Sequence, residues 1–295
     1  MRELYLKLGG DCLFVRHSAI HADRSTLVFI HGLGESGLSF AEAFDRPELA
    51  CFNLIVPDLI GFGRSSGATE RDYSFKTQAD RLGKALDHLG VGKVTLVGHS
   101  MGGDLATLMA AWDGIGKVKS LVNVEGNLTP EDLFISSQAA AAADRGQLAE
   151  WLYRDFGQVT VLEKWGRKRA SCRRYYASLM FCHSEAFSDS ARELVDRNRA
   201  AAGTKISEIG ALFSALSIPK VFCWGVESLA EKTRQLLDSG GAIPHRKFED
   251  ASHWVMVDQA GEFYPFLERF CNSEGNQQRD TPGTTDRAKR QARQV

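Results

Sequence analysis

The sequence has no excess of charge of either sign. Its 295 residues carry 36 Lys and Arg against 37 Asp and Glu, a formal net charge of −1. No global field therefore recruits nucleic acid or an anionic membrane, and a small molecule is the expected partner. No run of 18 apolar residues occurs, so no membrane-spanning helix is expected. The first 15 residues alternate charged and apolar side chains and hold no apolar stretch of signal-peptide length, which leads to the expectation of a cytoplasmic protein. The six cysteines (Cys12, Cys51, Cys172, Cys182, Cys223 and Cys271) are scattered, with no C-x-x-C pair and no Cys/His set at zinc spacing. Thiols in a reducing compartment fit that pattern. Internal repeats are also lacking. What is there, 43% hydrophobic and 25% charged residues, is enough to bury a large core without covalent staples.

Leu4, Leu6 and Leu8 alternate with polar residues before Gly9-Gly10-Asp11, and an apolar run resumes at Cys12, the pattern of a β-hairpin. Short continuous apolar runs follow at residues 26–30 (TLVFI), 54–56, 94–97, 121–124 and 221–224, each ending at a glycine, a charged residue or a turn. That is how strands buried on both faces read, and five of them imply a parallel sheet. Helical spacing lies between them at residues 75–89 and 105–112. The alternation predicts an α/β fold with helices on both faces of the sheet. It breaks at residues 129–217, which read as an inserted helical cap, and returns with a helix near 229–237, a short strand at 245–248 and a helix near 261–270. The expected organisation is a core of residues 1–128 and 218–271, the 129–217 cap, and a disordered tail over 272–295 with almost no large apolar side chains.

Gly98-His99-Ser100-Met101-Gly102 is G-x-S-x-G. The pentapeptide alone is weak, with roughly 0.2 chance matches expected in such a chain, but it directly follows a strand run and opens an apolar-striped helix, the setting of a nucleophile elbow. A serine hydroxyl needs a base to take its proton as it attacks. Of eight histidines, His253 in Asp250-Ala251-Ser252-His253-Trp254 follows the last predicted strand and precedes the final helix.

Together with His31-Gly32-Leu33-Gly34 and the Pro57-Asp58 to Ser65 loop (PDLIGFGRS), these motifs resemble the α/β-hydrolase superfamily over nearly the whole chain, from Thr26 to Phe270. The resemblance implies an α/β-hydrolase fold with an inserted helical cap, Ser100 as nucleophile, His253 as base, and the backbone N–H groups of Leu33 and Met101 as an oxyanion hole. It implies no metal or organic cofactor. His31 and His99 are expected to be structural, His31 bracing the oxyanion loop. For the acid that orients the base, two places are used in the superfamily. After the strand that follows the cap, Gly225-Val226-Glu227-Ser228 puts serine at the usual acid position, with Glu227 one residue off register. At the end of the strand preceding the cap stands Glu125, an acid against an apolar strand end, costly unless paired. Glu125 is favoured over Glu227.

Serine at the elbow points to an acyl-enzyme, hence to a carboxylic ester, with a thioester, a carbon–carbon bond next to a ketone, or a non-catalytic ligand receptor as alternatives. The expected assembly is a monomer or homodimer. Trp151, Tyr153, Phe156, Trp165, Tyr175, Tyr176, Phe181 and Phe187 are candidate pocket walls from the cap. Residues 164–174 hold six basic side chains and no acid, a candidate grip for the phosphates of an acyl-CoA.

Overall fold

The computed structural model describes residues 1–113, 116–201, 205–239 and 243–277. An eight-stranded sheet organises them, in the order β1-β2-β4-β3-β5-β6-β7-β8. The strands are β1 (Arg2–Leu8), β2 (Asp11–His17), β3 (Thr26–Ile30), β4 (Asn53–Asp58), β5 (Val94–His99), β6 (Val118–Val124), β7 (Lys220–Gly225) and β8 (His245–Phe248). β1 and β2 form the expected hairpin, and β2 also runs antiparallel to β4. From β4 to β8 every pairing is parallel. All five residues of β3, and all six of β4 and of β5, are buried, because helices cover both faces and a strand in such a layer meets apolar neighbours on either side. β8, at the sheet edge, buries only Phe248.

The helices of the core are α1 (Phe75–His88) and α2 (Met101–Trp112), followed after the inserted segment by α8 (Glu231–Asp238), α9 (Val255–Asp258) and α10 (Ala260–Gln277). α1 starts where the Ser74 side chain accepts the Thr77 N–H at 3.3 Å, and it buries Phe75, Gln78, Leu82, Ala85 and Leu86, one stripe at helical spacing. α2 runs beneath the sheet's centre, with Met101 through Leu108 buried. α10 continues past Cys271 to Gln277, with Phe266 packed against Phe248 and Phe270. Residues 278–295, the remainder of the expected tail, lie outside the described residues. Among the described residues no helix is long and apolar enough to cross a membrane.

Between β6 and β7 the chain is helical: α3 (Phe134–Asp144), α4 (Leu148–Glu150), a π-helical stretch (Trp151–Trp165), α5 (Ala170–Leu179), α6 (Ser184–Arg197) and α7 (Glu208–Ala215). Its own core is aromatic. Trp151 stacks on Phe156 at 4.9 Å between ring centres, and Phe156 also meets Trp165, Tyr175 and Phe187. Polar ties fasten the segment to the sheet's carboxyl end, among them Tyr175 Oη to Leu33 O (3.0 Å), Arg174 to Glu42 (2.8 Å) and His183 N to Gly61 O (2.9 Å).

Candidate active site

Parallel strands release their chains at one edge, and open α/β sheets place their sites there. In this chain the ends of β3, β5, β6, β7 and β8 deliver His31 to Glu35, Ser100, Glu125, Gly225 to Ser228 and His253 to the same edge.

Ser100 sits at φ 51°, ψ −122°, a conformation that side-chain-bearing residues avoid, and it opens α2. The turn is tight because strand and helix nearly touch. A Cβ on Gly98 would lie 2.2 Å from Gly102 O, and one on Gly102 would lie 2.1 Å from Ile30 O, so neither position accepts any other residue. Ser100 N donates to Val124 O at 2.8 Å, tying the elbow to β6. As the first residue of α2, Met101 has an N–H with no intrahelical acceptor.

The loop after β3 is fixed peptide by peptide. Buried His31 accepts the Leu59 N–H on Nε2 (2.9 Å), so its proton is on Nδ1, which donates to Gly32 O (2.9 Å). Glu35 N donates to the same oxygen (3.2 Å). In a trans peptide the N–H points opposite the C=O. Holding Gly32 O from behind therefore turns the Leu33 N–H away from both donors, and Leu33 lines the cavity that Ser100 faces. Burial lowers the His31 pKa, against the pull of Asp58, which suits a neutral ring in this role.

His253 lines the same cavity. Its Nδ1 lies 2.7 Å from Glu125 Oε2, and the other oxygen of Glu125 accepts Gly225 N at 2.6 Å and the Ser228 hydroxyl at 2.7 Å. The Glu125 side chain is 3% exposed, against 48% for that of Glu227. Glu227 also lines the cavity, but its carboxylate is paired with Arg169 and not with the imidazole. Of the two candidate acids the fold thus brings Glu125 to the imidazole, and the serine at position 228 serves it as a donor. Burial would lower the His253 pKa, but hydrogen bonding and charge from Glu125, aided by Glu35 and Asp132, outweigh that and raise it.

The cavity measures about 410 Å³. Its walls combine Trp165, Tyr175 and Leu194 from the inserted segment and Phe134 and Ile135 at that segment's start with Trp254 from the core; Asn127, Asp132, Ser228 and Ser252 give one side polar character. Of the eight aromatic residues singled out in the sequence, only Trp165 and Tyr175 reach it. Trp151, Phe156 and Phe187 are spent on the insertion's own core, and Phe181 is 70% exposed. A second cavity of about 320 Å³ lies at the opposite end of the strands, among residues 20–26 and 90–95, and holds none of these groups. Among the described residues no three His, Cys, Asp or Glu side chains are grouped to hold a metal ion.

Sequence reasoning missed Glu35. Its side chain is buried, with Oε1 accepting Trp254 Nε1 (2.8 Å) and Oε2 accepting Gly32 N (3.1 Å) and Ser39 Oγ (2.8 Å). The signal was available: like Glu125, it is an acid that follows the end of a largely apolar, buried strand, where burial without partners is costly.

Fold and site together define a hydrolytic enzyme of the α/β kind. The chain belongs to the α/β-hydrolase fold family, whose family model matches residues 25–260. It is 24% identical over 263 residues to an uncharacterized protein of Mycobacterium tuberculosis, covering 84% of this chain and 75% of that one. Over 90 residues it is 39% identical to the magnesium-chelatase 30 kDa subunit of Rhodobacter capsulatus, a match that spans 30% of this chain and 31% of the subunit. Among solved structures it resembles a thermophilic esterase from Thermogutta terrifontis, with a TM-score of 0.71 and 19% identity, covering 93% of this chain and 99% of that one.

Proposed function

We propose that the chain is a serine hydrolase that cleaves a carboxylic ester through an acyl-enzyme. Ser100 Oγ attacks the carbonyl carbon while His253 Nε2 takes its proton. The charge that develops on the carbonyl oxygen is met by the N–H groups of Leu33 and Met101, and loss of one such donor typically costs about 10² to 10³ in rate. His253 then returns the proton to the departing alcohol, and a water attacking the acyl-enzyme repeats the sequence in reverse. Glu125 holds the imidazole with Nδ1 protonated and stabilises the imidazolium that forms twice per cycle. The observation that carries this reading is the Glu125–His253 contact, made by a carboxylate whose second oxygen is filled by Gly225 N and Ser228 Oγ.

The segment between β6 and β7 acts in this reading as a cap that roofs the cavity, so that Trp165, Tyr175 and Leu194 size the acyl group. The partner in this reading is a small-molecule ester, taken up by a monomer or homodimer in the cytoplasm, with no cofactor. Of the six basic residues at 164–174, the acyl-CoA alternative loses three to internal partners, Arg169 to Glu227 and Asp250, Arg174 to Glu42, and Arg173 to the Gly166 carbonyl, while Lys168 lines the cavity beside Arg169.

Intact-mass analysis after treatment with a fluorophosphonate tests the proposal. One adduct on the wild type, absent from Ser100→Ala, together with turnover of p-nitrophenyl esters, is the expected result. A folded wild type that takes no adduct and turns over no ester refutes it.

A further inference from the structure

Glu35 sits where three loops of the site converge. From the loop after β3 it takes the Gly32 N–H (3.1 Å), one residue before the Leu33 donor. From the loop after β8 it takes the Trp254 indole N–H (2.8 Å), one residue past the base. Its Oε1 also lies 2.8 Å from Nδ1 of His99, one residue before the nucleophile, and His99 Nε2 lies 2.9 Å from the backbone oxygen of His253. The His99 and His253 rings are 4.6 Å apart. A surface role would leave this carboxylate exposed, yet it is 1% exposed. Burial pushes its pKa up, but the neighbouring His99, with the Gly32 N–H, more than reverses that and lowers it.

Resting on the serine-hydrolase reading, we infer that Glu35 is a positioning residue that locks the oxyanion donor of Leu33, the elbow at Ser100 and the His253 loop into one mutual geometry. The physical argument is directional. Gly32 is pinned on both sides of its α-carbon, its N–H by the Glu35 carboxylate and its C=O by His31 Nδ1 and Glu35 N, so the following Leu33 N–H has no freedom to swing. The same carboxylate holds the His253 loop through Trp254, and it lies beside His99, whose Nε2 is 2.9 Å from the His253 backbone oxygen. An error of about 1 Å in such a constellation can cost on the order of 10² in rate. Because the groups so aligned meet substrate fully only in the transition state, the loss falls on kcat and not on KM.

The test is kinetics on a p-nitrophenyl ester with kcat expressed per Ser100 titrated by fluorophosphonate, which counts only folded sites. Glu35→Gln keeps the shape but turns one acceptor into a donor facing donors. It is expected to lower kcat per site about 10- to 100-fold with KM within about threefold. Where that variant folds, kcat within twofold of the wild type, or a loss confined to KM, overturns the inference. Where it does not fold, Trp254→Phe decides: it removes the indole donor, keeps the carboxylate and its hold on Gly32, and is expected to lower kcat per site about 3- to 10-fold, whereas an unchanged value overturns the inference. A wild type that does not titrate at Ser100 removes the underlying reading as well; titration with unaltered variants removes only the role of Glu35.

Discussion

At the scale of single residues, the site turns on which atoms of two carboxylates are already spoken for. Glutamine at position 125 can still accept from Gly225 N and Ser228 Oγ, but its amide nitrogen then faces His253 Nδ1 and enforces the wrong tautomer. Glu125→Gln is expected to lower kcat on the order of 10³- to 10⁴-fold, and Glu227→Gln by less than about threefold, in steady-state ester hydrolysis; the reverse ranking would show that the acid had been misassigned. The same pairing governs pH. His253 must be neutral to accept a proton, and Glu125 raises its pKa, so kcat/KM is expected to fall with acidification through a midpoint above about 6.5, the ordinary imidazole value. Residual activity of Glu125→Gln should show that midpoint displaced downward. Ser100 carries a third residue-scale consequence. Its backbone conformation at φ 51° is open to glycine and strained for alanine, so Ser100→Gly is expected to be more stable than Ser100→Ala by about 1 kcal/mol in urea denaturation, and an alanine variant of equal or greater stability would contradict the strain.

Elements were legible in the sequence to the degree that burial imprinted a period on them. β3 and β8 have the limits expected from their residues, and the other strands differ by a few residues at their ends, where pairing continues into polar positions such as Asp58 and His99. Ser100 and His253 could be read because glycines at a tight turn and a histidine between strand and helix are local signals. The choice between Glu125 and Glu227 needed the third dimension: Glu227 stands one residue out of register, and only the packed edge shows that its carboxylate pairs with Arg169. The π-helical stretch left no period to recognise, and its aromatic residues pair with one another in a way that no spacing rule foretells. Trp165 is the exception that reaches the cavity. Trp165→Ala is expected to shift the preferred acyl length in a p-nitrophenyl ester series upward by several carbons, whereas Phe156→Ala, within the insertion's own core, should instead lower stability by about 3 to 5 kcal/mol.

On the scale of the whole molecule, two layers meet at the cavity mouth, and their joint is polar. Arg169, between the π-helical stretch and α5, binds Glu227, the Asp250 carboxylate (2.9 Å) and the Asp250 carbonyl (3.0 Å), three residues before the base. Exposed ion pairs of this kind contribute little to stability, about 0 to 1 kcal/mol, so the contact matters for position more than for folding. Arg169→Met is expected to change the unfolding free energy by less than about 1 kcal/mol while altering kcat or KM at least threefold. A variant with wild-type kinetics would mean that the joint does not bear on the site.

The hydroxyl of Ser228 touching Glu125 has a historical consequence. Two strand ends, those of β6 and β7, present neighbouring positions from which one imidazole can be served, and in this chain the first holds the acid while the second holds its donor. A lineage can therefore pass from one arrangement to the other through a form carrying acids at both, the two sharing a proton, without an ancestor in which the imidazole stood alone.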